Sequence, residues 1–154
     1  MANTNIDPRY RNGKIYAIKC MDNDDVYIGS TIQELHERLY KHIADYFGYI
    51  EGRTNYVTSF EIIDTGNYFI ELIKNYPCNN KSELEKEEGR LQREMNCINR
   101  VIAGRSSSEY YRENIVEMTM KKSQKFKCEC GSSYRRDNKS HHIKTKKHRE
   151  YIEN

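Results

Sequence analysis

Short apolar runs near the start of the chain predict a small β-sheet. Lys14 to Cys20 (KIYAIKC) is rich in strand-forming residues, and Asp25 to Ile28 (DVYI) forms a second such run. The sequence MDNDD between them supplies the Asn and Asp residues that turns favour, so the two runs predict a hairpin. Tyr68 to Ile73 predicts a third strand, ending before Pro77. In the irregular stretch 48–66, SFEIID predicts either a short helix or a short strand.

Helical periodicity and capping residues predict three helices. The first runs from Thr31 to Phe47, with Ser30 or Thr31 as the N-cap and Glu34 placed to close a capping box on Thr31. The second runs from about Glu83 to Met95 and is capped by Ser82. The third follows Gly104 and the serines at 106–108, which mark a domain boundary, and predicts a helical linker.

The first helix directs polar residues toward its apolar side. At about 100° per residue, Leu35, Leu39 and Tyr46 share one stripe. His42 falls inside that stripe and Arg38 lies at its edge. Both side chains are costly to desolvate unless they meet polar partners, so this face predicts a buried polar cluster.

The second helix does the same with one acidic residue. Leu84, Leu91 and Met95 form its apolar stripe, and Glu88 lies on that stripe. The other acids of the helix are expected to face water: Glu83, Glu85, Glu87 and Glu94. Two explanations fit an inward Arg38 and Glu88, namely a buried ion pair of little net stability or a catalytic site. The pattern alone leaves both open.

Composition indicates an intracellular protein of one ordinary domain with a small appendage. The chain has 154 residues, of which 36% are hydrophobic and 32% charged. No apolar run approaches the 18 or so residues of a membrane-spanning helix, and the N-terminus lacks the apolar stretch of a secretory signal. We therefore expect no membrane partner and an intracellular location.

The charge is unevenly distributed. Residues 121–149 hold eleven Lys or Arg against two acids, whereas the rest of the chain holds 15 basic and 21 acidic residues. A basic tail on an acidic body favours contact with a polyanion, although a solvated tail without a partner would show the same pattern.

Five cysteines without an export signal make a disulfide framework improbable. Cys20, Cys78 and Cys97 are isolated and are typical of small buried apolar residues. Cys128 and Cys130 instead lie near three histidines, at 141, 142 and 148.

Two motifs together resemble the signature of the GIY-YIG nucleases. GKIY at 13–16 is followed, after ten intervening residues, by YIGST at 27–31. In that family the second motif leads into a helix with an arginine and, four residues on, a histidine or tyrosine, which Arg38 and His42 match. A later helix carries a glutamate, matched by Glu88, and an asparagine follows, matched by Asn99.

The resemblance implies an α+β fold, a small three-stranded antiparallel sheet flanked by helices, over residues 13–103. We expect a flexible tail at 1–12, a helical linker at 104–124 and a zinc finger at 125–154. The first motif departs from the family by reading KIY for GIY. Gly89, directly after Glu88, is expected to weaken the helix and loosen the site.

The resemblance also implies phosphodiester hydrolysis with one Mg²⁺ or Mn²⁺ held by Glu88. Arg38 would grip a phosphate oxygen, and Tyr16 would be the general base, aided by a nearby cation or by His42. Tyr27 would orient phosphate or water, and Asn99 would position Glu88 or the backbone around it.

The C-terminal cysteines and histidines predict a zinc site of the two-cysteine, two-histidine type. Eleven residues separate Cys130 from His142 and five separate His142 from His148, although Cys-x-Cys is one residue shorter than usual. His142 is preferred to His141 for its spacing, and Gly131 would relieve the tight turn. A disordered basic tail with incidental cysteines is the competing explanation. Six residues are expected to contact phosphate: Arg135, Arg136, Lys139, Lys144, Lys146 and Lys147.

The sequence thus predicts a metal-dependent DNA endonuclease targeted by a basic zinc finger. The alternative is a non-catalytic nucleic-acid-binding protein that kept the nuclease fold, and RNA is a lesser rival to duplex or branched DNA as the substrate. The combination resembles proteins of large DNA viruses and mobile elements, which would place the protein in the cytoplasm or nucleus of a host cell. The oligomeric state is left open.

Overall fold

The computed structural model describes residues 6–153 of the chain. They belong to two compact units, Met1–Arg105 and Ser106–Asn154, which are described separately below. Across the described residues, no helix combines the length and the apolar character needed to cross a bilayer.

The first unit contains the α+β fold that the sequence predicts. Strands β1 (Lys14–Cys20), β2 (Val26–Thr31) and β3 (Tyr68–Asn75) form an antiparallel sheet in the order β2-β1-β3. The predicted hairpin and third strand are confirmed. Strand β1 is central, and residues 15–18 within it are fully buried. The register places Tyr16 opposite Gly29, so the two signature motifs lie side by side.

Three helices accompany the sheet: α1 (Leu35–Ile50), α2 (Phe60–Ile63) and α3 (Lys81–Glu94). The predicted caps are wrong for two of them. Helix α1 begins four residues later than expected, with a capping box between Glu34 and Glu37, because Thr31 is the last residue of β2. Helix α3 is capped by Asn80, whose side chain accepts from the backbone N–H of Glu83, and not by Ser82.

The core consists of two apolar clusters that draw on different helices. Ile15 and Ile28 pack with Leu84 and Leu91 of α3. Tyr16 and Ile18 belong to the other cluster, which includes residues of α1 and α2. The inward stripe predicted for α1 is confirmed, since Leu35, Leu39 and Tyr46 pack against this second cluster and His42 is buried.

The N-terminal segment differs from the flexible tail expected at 1–12. Pro8–Asn12 forms a 3-10 helix capped by the Asp7 side chain. Its backbone is bonded to the segment before α3, because Asp7 N–H donates to the Asn79 carbonyl and Cys78 N–H to the Tyr10 carbonyl. The expectation for residues 1–5 lies outside the described residues.

The expectation that Glu87 faces water is wrong. Its side chain is 10% exposed and bonds to Lys74 at 2.7 Å and to Arg90 at 2.7 Å. The bond from Arg90 is the main cause that lowers the pKa of Glu87 to about 2. Periodicity misplaced this carboxylate because it ignores partners on a neighbouring strand. Met95, placed on the apolar stripe, lies at the exposed end of the helix.

The second unit begins with α4 (Ser107–Ser123), which a capping box between Ser106 and Glu109 starts. A hairpin of β4 (Lys125–Lys127) and β5 (Ser133–Arg135) follows, with Gly131 at φ +78° in its turn. A 3-10 turn leads into α5 (Lys139–His142) and then α6 (Lys146–Glu153). The C-terminal segment is therefore a hairpin followed by helices.

Gly89 tightens the packing of α3 instead of loosening it. A Cβ placed on Gly89 would lie 2.1 Å from the carbonyl oxygen of Ala103, far inside van der Waals contact. The glycine is therefore required by the chain segment that crosses the helix.

Gly89→Ala should lower the free energy of unfolding by about 1 to 3 kcal/mol, because the added methyl displaces the Ala103 backbone. In an open helix interior the same change would stabilise by up to about 1 kcal/mol. Urea unfolding followed by circular dichroism shows whether Gly89→Ala lowers or raises the free energy of unfolding. A gain in stability would contradict the close contact between Gly89 and the Ala103 carbonyl.

Candidate active site and metal cluster

Glu88 projects from α3 toward strand β2. Its Oε2 accepts a hydrogen bond from Ser30 Oγ at 2.5 Å, and its Oε1 accepts one from Gln92 Nε2 at 2.9 Å. Burial raises the pKa of this carboxyl above its ordinary value, and the bonds from Ser30 and Gln92 oppose that rise. The carboxylate is therefore held in one orientation by two neutral donors.

Glu88 borders two cavities. The larger, of about 510 Å³, is also lined by Ser30, Arg38 and Glu85. The smaller, of about 290 Å³, is also lined by Tyr27 and Asn99, among others. Glu88 offers a hard carboxylate to both cavities, and Mg²⁺ or Mn²⁺ prefers such oxygen ligands and retains several waters. Glu85, the other carboxylate of the larger cavity, already pairs with Lys81 at 3.2 Å. Glu88 is thus the residue of this site that could hold such an ion.

Tyr16, Arg38, His42 and Ser59 form a connected polar cluster behind these cavities. The Tyr16 hydroxyl lies 2.7 Å from His42 Nε2 and accepts a hydrogen bond from Arg38 Nε at 2.9 Å. His42 Nδ1 lies 2.9 Å from Ser59 Oγ. Gly29 makes room for this phenol, since a Cβ there would lie 2.4 Å from the Tyr16 hydroxyl oxygen.

Burial keeps Tyr16 and His42 of this cluster neutral. It lowers the pKa of His42 to about 3, with a further contribution from Arg38. It also raises the pKa of Tyr16 well above 10, although Arg38 acts in the opposite direction. A protonated phenol next to a neutral imidazole donates to Nε2, which leaves the proton of His42 on Nδ1, donated to Ser59. Arg38 is the nearby cation expected to help Tyr16 lose its proton, but burial raises the pKa of Tyr16 more than Arg38 lowers it.

The two signature tyrosines have different surroundings. Tyr16 is fully buried. Tyr27 is half-buried, lines the smaller cavity with Glu88, and packs edge-on against His42 with ring centroids 5.5 Å apart. Burial and the nearby Glu88 raise the pKa of Tyr27 to about 12. Of the two phenols, Tyr27 is therefore the one that lines a cavity.

A structural ion pair does not account for the inward charges. Within the described part of the chain, no Arg38–Glu88 contact of 4.0 Å or less is present, and each side chain bonds instead to neutral partners. The buried ion pair, which the sequence left open as one explanation, is therefore wrong, because the two charged groups do not come within 4.0 Å of each other.

Asn99 bonds to the edge strand and not to Glu88. Its Oδ1 accepts from the Ile28 N–H at 2.8 Å, and its Nδ2 donates to the Ile28 carbonyl at 2.8 Å. The side chain pairs with β2 as a neighbouring strand would, directly beside Tyr27. It holds the backbone that carries the second motif.

Sequence reasoning missed three side chains of the site. Ser30 was considered only as a helix cap, and Gln92 lies four residues after Glu88 on the same face of α3 but is uncharged. Both give local signals that could have identified them. Ser59 lies in the irregular stretch before α2, where no periodicity points to its contact with His42.

The second unit brings two cysteines and two histidines together. The ligand atoms of Cys128, Cys130, His142 and His148 lie within 4.8 Å of one another. Cys128 Sγ is 3.3 Å from His148 Nδ1, and Cys130 Sγ is 3.6 Å from His142 Nε2. Two thiols and two imidazoles are a ligand set that suits tetrahedral zinc. His142 is buried within this cluster, whereas His141 is exposed and outside it.

The six basic residues proposed to contact phosphate are all exposed, at 135, 136, 139, 144, 146 and 147. The Arg136 guanidinium lies 5.6 Å from the centroid of the Phe126 ring, and Lys146 pairs with Glu150 at 3.6 Å. These charges surround the cysteine and histidine cluster in sequence and are accessible to a polyanion.

The depressed pKa of His42 predicts an acid-sensitive fold. As the pH falls below 6.5, the unfolded chain binds a proton at this histidine that the folded chain does not bind until about pH 3. Wild-type protein should therefore lose up to about 1.4 kcal/mol of unfolding free energy per pH unit through this group. The stability difference between wild type and His42→Gln should shrink from pH 7 to pH 5, as measured by urea unfolding. A difference independent of pH would show that His42 is not buried in neutral form.

A protein-family model and a solved structure are similar to this chain. Residues 12–100, more than half of the chain, match the sequence model of the GIY-YIG catalytic domain. Among solved structures, a mutant catalytic domain of the intron endonuclease I-TevI matches with a TM-score of 0.48 and 22% identity, covering 59% of this chain and 95% of that one. No curated protein matches the chain. The chain belongs to the GIY-YIG family and carries its catalytic domain.

Proposed function

We propose that this GIY-YIG enzyme is a DNA endonuclease that hydrolyses phosphodiester bonds with one Mg²⁺ or Mn²⁺ at Glu88. The observation that carries the proposal is the position of this carboxylate between two open cavities, held by Ser30 and Gln92 and free of any ion pair within the described residues. A carboxylate used only for stability would be expected to face a cation, as Glu87 does.

The bound ion would supply charge neutralisation at the scissile phosphate. Arg38 lines the larger cavity and uses Nε for Tyr16, while its terminal nitrogens have no protein partner in the described part of the chain. These nitrogens are available for a phosphate oxygen, where a guanidinium stabilises developing negative charge. Arg38 would thus connect the phosphate to the buried tyrosine.

The buried cluster suits a proton relay. As the attacking water loses a proton to the Tyr16 oxygen, the phenolic proton would pass to His42 Nε2, so that no free phenolate forms. Arg38 must move away first, because burial and the charge of Arg38 both lower the pKa of His42. Ser59 Oγ would accept a hydrogen bond from the Nδ1–H of His42, which leaves Nε2 as the proton acceptor. A shift of Arg38 toward a phosphate would open the Tyr16 hydroxyl to water, and Tyr27 would orient that water from the smaller cavity.

The second unit would target the enzyme to its substrate. Zinc bound by Cys128, Cys130, His142 and His148 would fix the hairpin against the helices. The exposed arginines and lysines around it suit phosphate contacts, which give affinity without sequence information. One active site cuts one strand, so a duplex requires two cutting events.

Glu88→Gln should reduce metal-dependent nicking of plasmid DNA by about a hundredfold or more, because the amide cannot replace the anionic ligand. Glu85→Gln is the matched control, since Glu85 lies on the same helix and lines the larger cavity. Nicking is measured with Mg²⁺ and with Mn²⁺ on linear, nicked and branched DNA, with RNA digested in parallel.

Equal nicking by the Glu88→Gln and wild-type proteins would end the proposal. Binding of the duplex without any metal-dependent cutting by the wild type would favour the non-catalytic alternative. Faster digestion of RNA than of DNA would reassign the substrate.

His142→Ala should weaken metal binding to the second unit by at least about a hundredfold, whereas the neighbouring change His141→Ala should leave it unchanged. Cobalt substitution measures this directly, because thiolate ligands give Co²⁺ a characteristic absorption. Loss of that absorption in His141→Ala but not in His142→Ala would show that the ligand set is wrong.

A further inference from the structure

The smaller cavity has one wall that the proposed chemistry does not use. Tyr56 and Val57, from the loop between α1 and α2, line it together with Arg100 and Val101, which follow α3. Glu88, Tyr27 and Asn99 line the same cavity. Asn99 is bonded to the backbone of β2, so the segment that carries Arg100 is anchored to the sheet beside the cavity.

Tyr56 and Arg100 share one acidic partner. The Arg100 guanidinium lies 5.2 Å from the Tyr56 ring centroid, and its Nη2 donates to Glu61 Oε1 at 2.6 Å. The Tyr56 hydroxyl donates to the same oxygen. The side chains of Arg100 and Glu61 are 65% and 39% exposed. An exposed pair of this kind contributes little net stability, so an incoming anion can displace Glu61 from Arg100.

The chemistry of this wall matches one nucleotide. It offers a guanidinium for a phosphate, an aromatic ring beside it, and the apolar side chains of Val57 and Val101 for a sugar or base. The cavity volume, about 290 Å³, lies just below the range for ligand pockets, which spans roughly 300 to 1,000 Å³. A cavity of this size holds one nucleotide unit, not a folded partner.

We propose that Tyr56 and Arg100 form a subsite for the nucleotide adjacent to the scissile phosphate. This inference rests on the proposed function, because it places the substrate strand across Glu88. Arg38 holds the scissile phosphate in the larger cavity, and Arg100 exchanges Glu61 for the neighbouring phosphate. The Tyr56 ring and the two valines contact the attached sugar and base. Glu61 acts as a competitor that occupies Arg100 until the strand arrives.

A purely structural role for the network is the competing explanation, and the chain offers a matched control. Arg53 and Glu51 form another exposed arginine–glutamate pair of the same unit, with side chains 67% and 57% exposed. Neither of them lines either cavity at Glu88. Corresponding substitutions in the two pairs remove the same charge from surfaces of similar exposure.

The experiment compares the two pairs in the full chain. Binding of a short, labelled single-stranded deoxyoligonucleotide is measured in metal-free buffer, and single-turnover cleavage is measured with Mg²⁺. Arg100→Ala should weaken binding by about tenfold, and Tyr56→Leu should weaken it by a similar factor. Arg53→Ala should change it by less than about twofold. Glu61→Gln should tighten binding by about threefold, while Glu51→Gln should not.

Two further readouts separate a substrate contact from a loss of structure. The enzyme concentration that gives half-maximal cleavage should rise in Arg100→Ala while the maximal rate stays within about threefold of wild type. Tyr56→Phe, which keeps the ring but not its bond to Glu61, should bind as wild type does. Thermal unfolding of each variant checks that the fold is intact.

The outcomes also distinguish the subsite from the proposed function. Equal effects of Arg100→Ala and Arg53→Ala on binding and on half-maximal cleavage, in an enzyme that nicks DNA, would overturn the subsite alone. Arg100-dependent binding in a protein that cuts no nucleic acid would overturn the endonuclease and leave the nucleotide site standing. A fall in maximal rate without a change in binding would assign these residues to the chemistry and overturn the subsite.

Discussion

The side-chain amide of Gln92 joins the parts of the molecule on which the site depends. Its Nε2 donates to Glu88 Oε1 at 2.9 Å and to the Ile28 carbonyl at 3.2 Å, and its Oε1 accepts from the Ala103 N–H at 2.8 Å. A buried amide must satisfy these groups, because leaving one unpaired costs about 1 to 3 kcal/mol. The helix, the edge strand and the following segment are therefore held in one arrangement, and the orientation of Glu88 follows from it.

Two glycines complete this arrangement, because each allows a neighbouring group to lie close to its backbone. Gly29 gives space to the Tyr16 phenol on the adjacent strand, and Gly89 gives space to the Ala103 carbonyl above α3. The first approach buries Tyr16 beside His42, where desolvation keeps both neutral. The second sets the segment after α3, which contains Asn99 and Arg100, against the helix. Close packing at Gly29 and Gly89 thus adjoins the residues of the proposed chemistry.

The sequence predicted the fold and the inward direction of the key side chains, but not their partners. Alternation and helical periodicity located the hairpin, the helices and the buried face that carries His42. These patterns show which face of an element a residue lies on, but not which side chain it contacts. The ion pair of Glu87 with Lys74 and the bond of Ser59 to His42 were therefore missed. The predicted start of α1 was wrong for a local reason, because Thr31 is the last residue of β2 and cannot also cap the helix. The spacing of cysteines and histidines predicted the C-terminal cluster because ligands to one ion must converge.

The central claim is that one carboxylate, Glu88, binds the divalent ion at the junction of the two cavities. Titration of the full chain with Mn²⁺, followed by the paramagnetic resonance signal of the free ion, tests this without any assumption about the substrate. We expect the wild-type protein to bind one Mn²⁺ ion, the Glu85→Gln variant to retain this site, and the Glu88→Gln variant to lose it. Unchanged Mn²⁺ binding in Glu88→Gln would contradict the central claim.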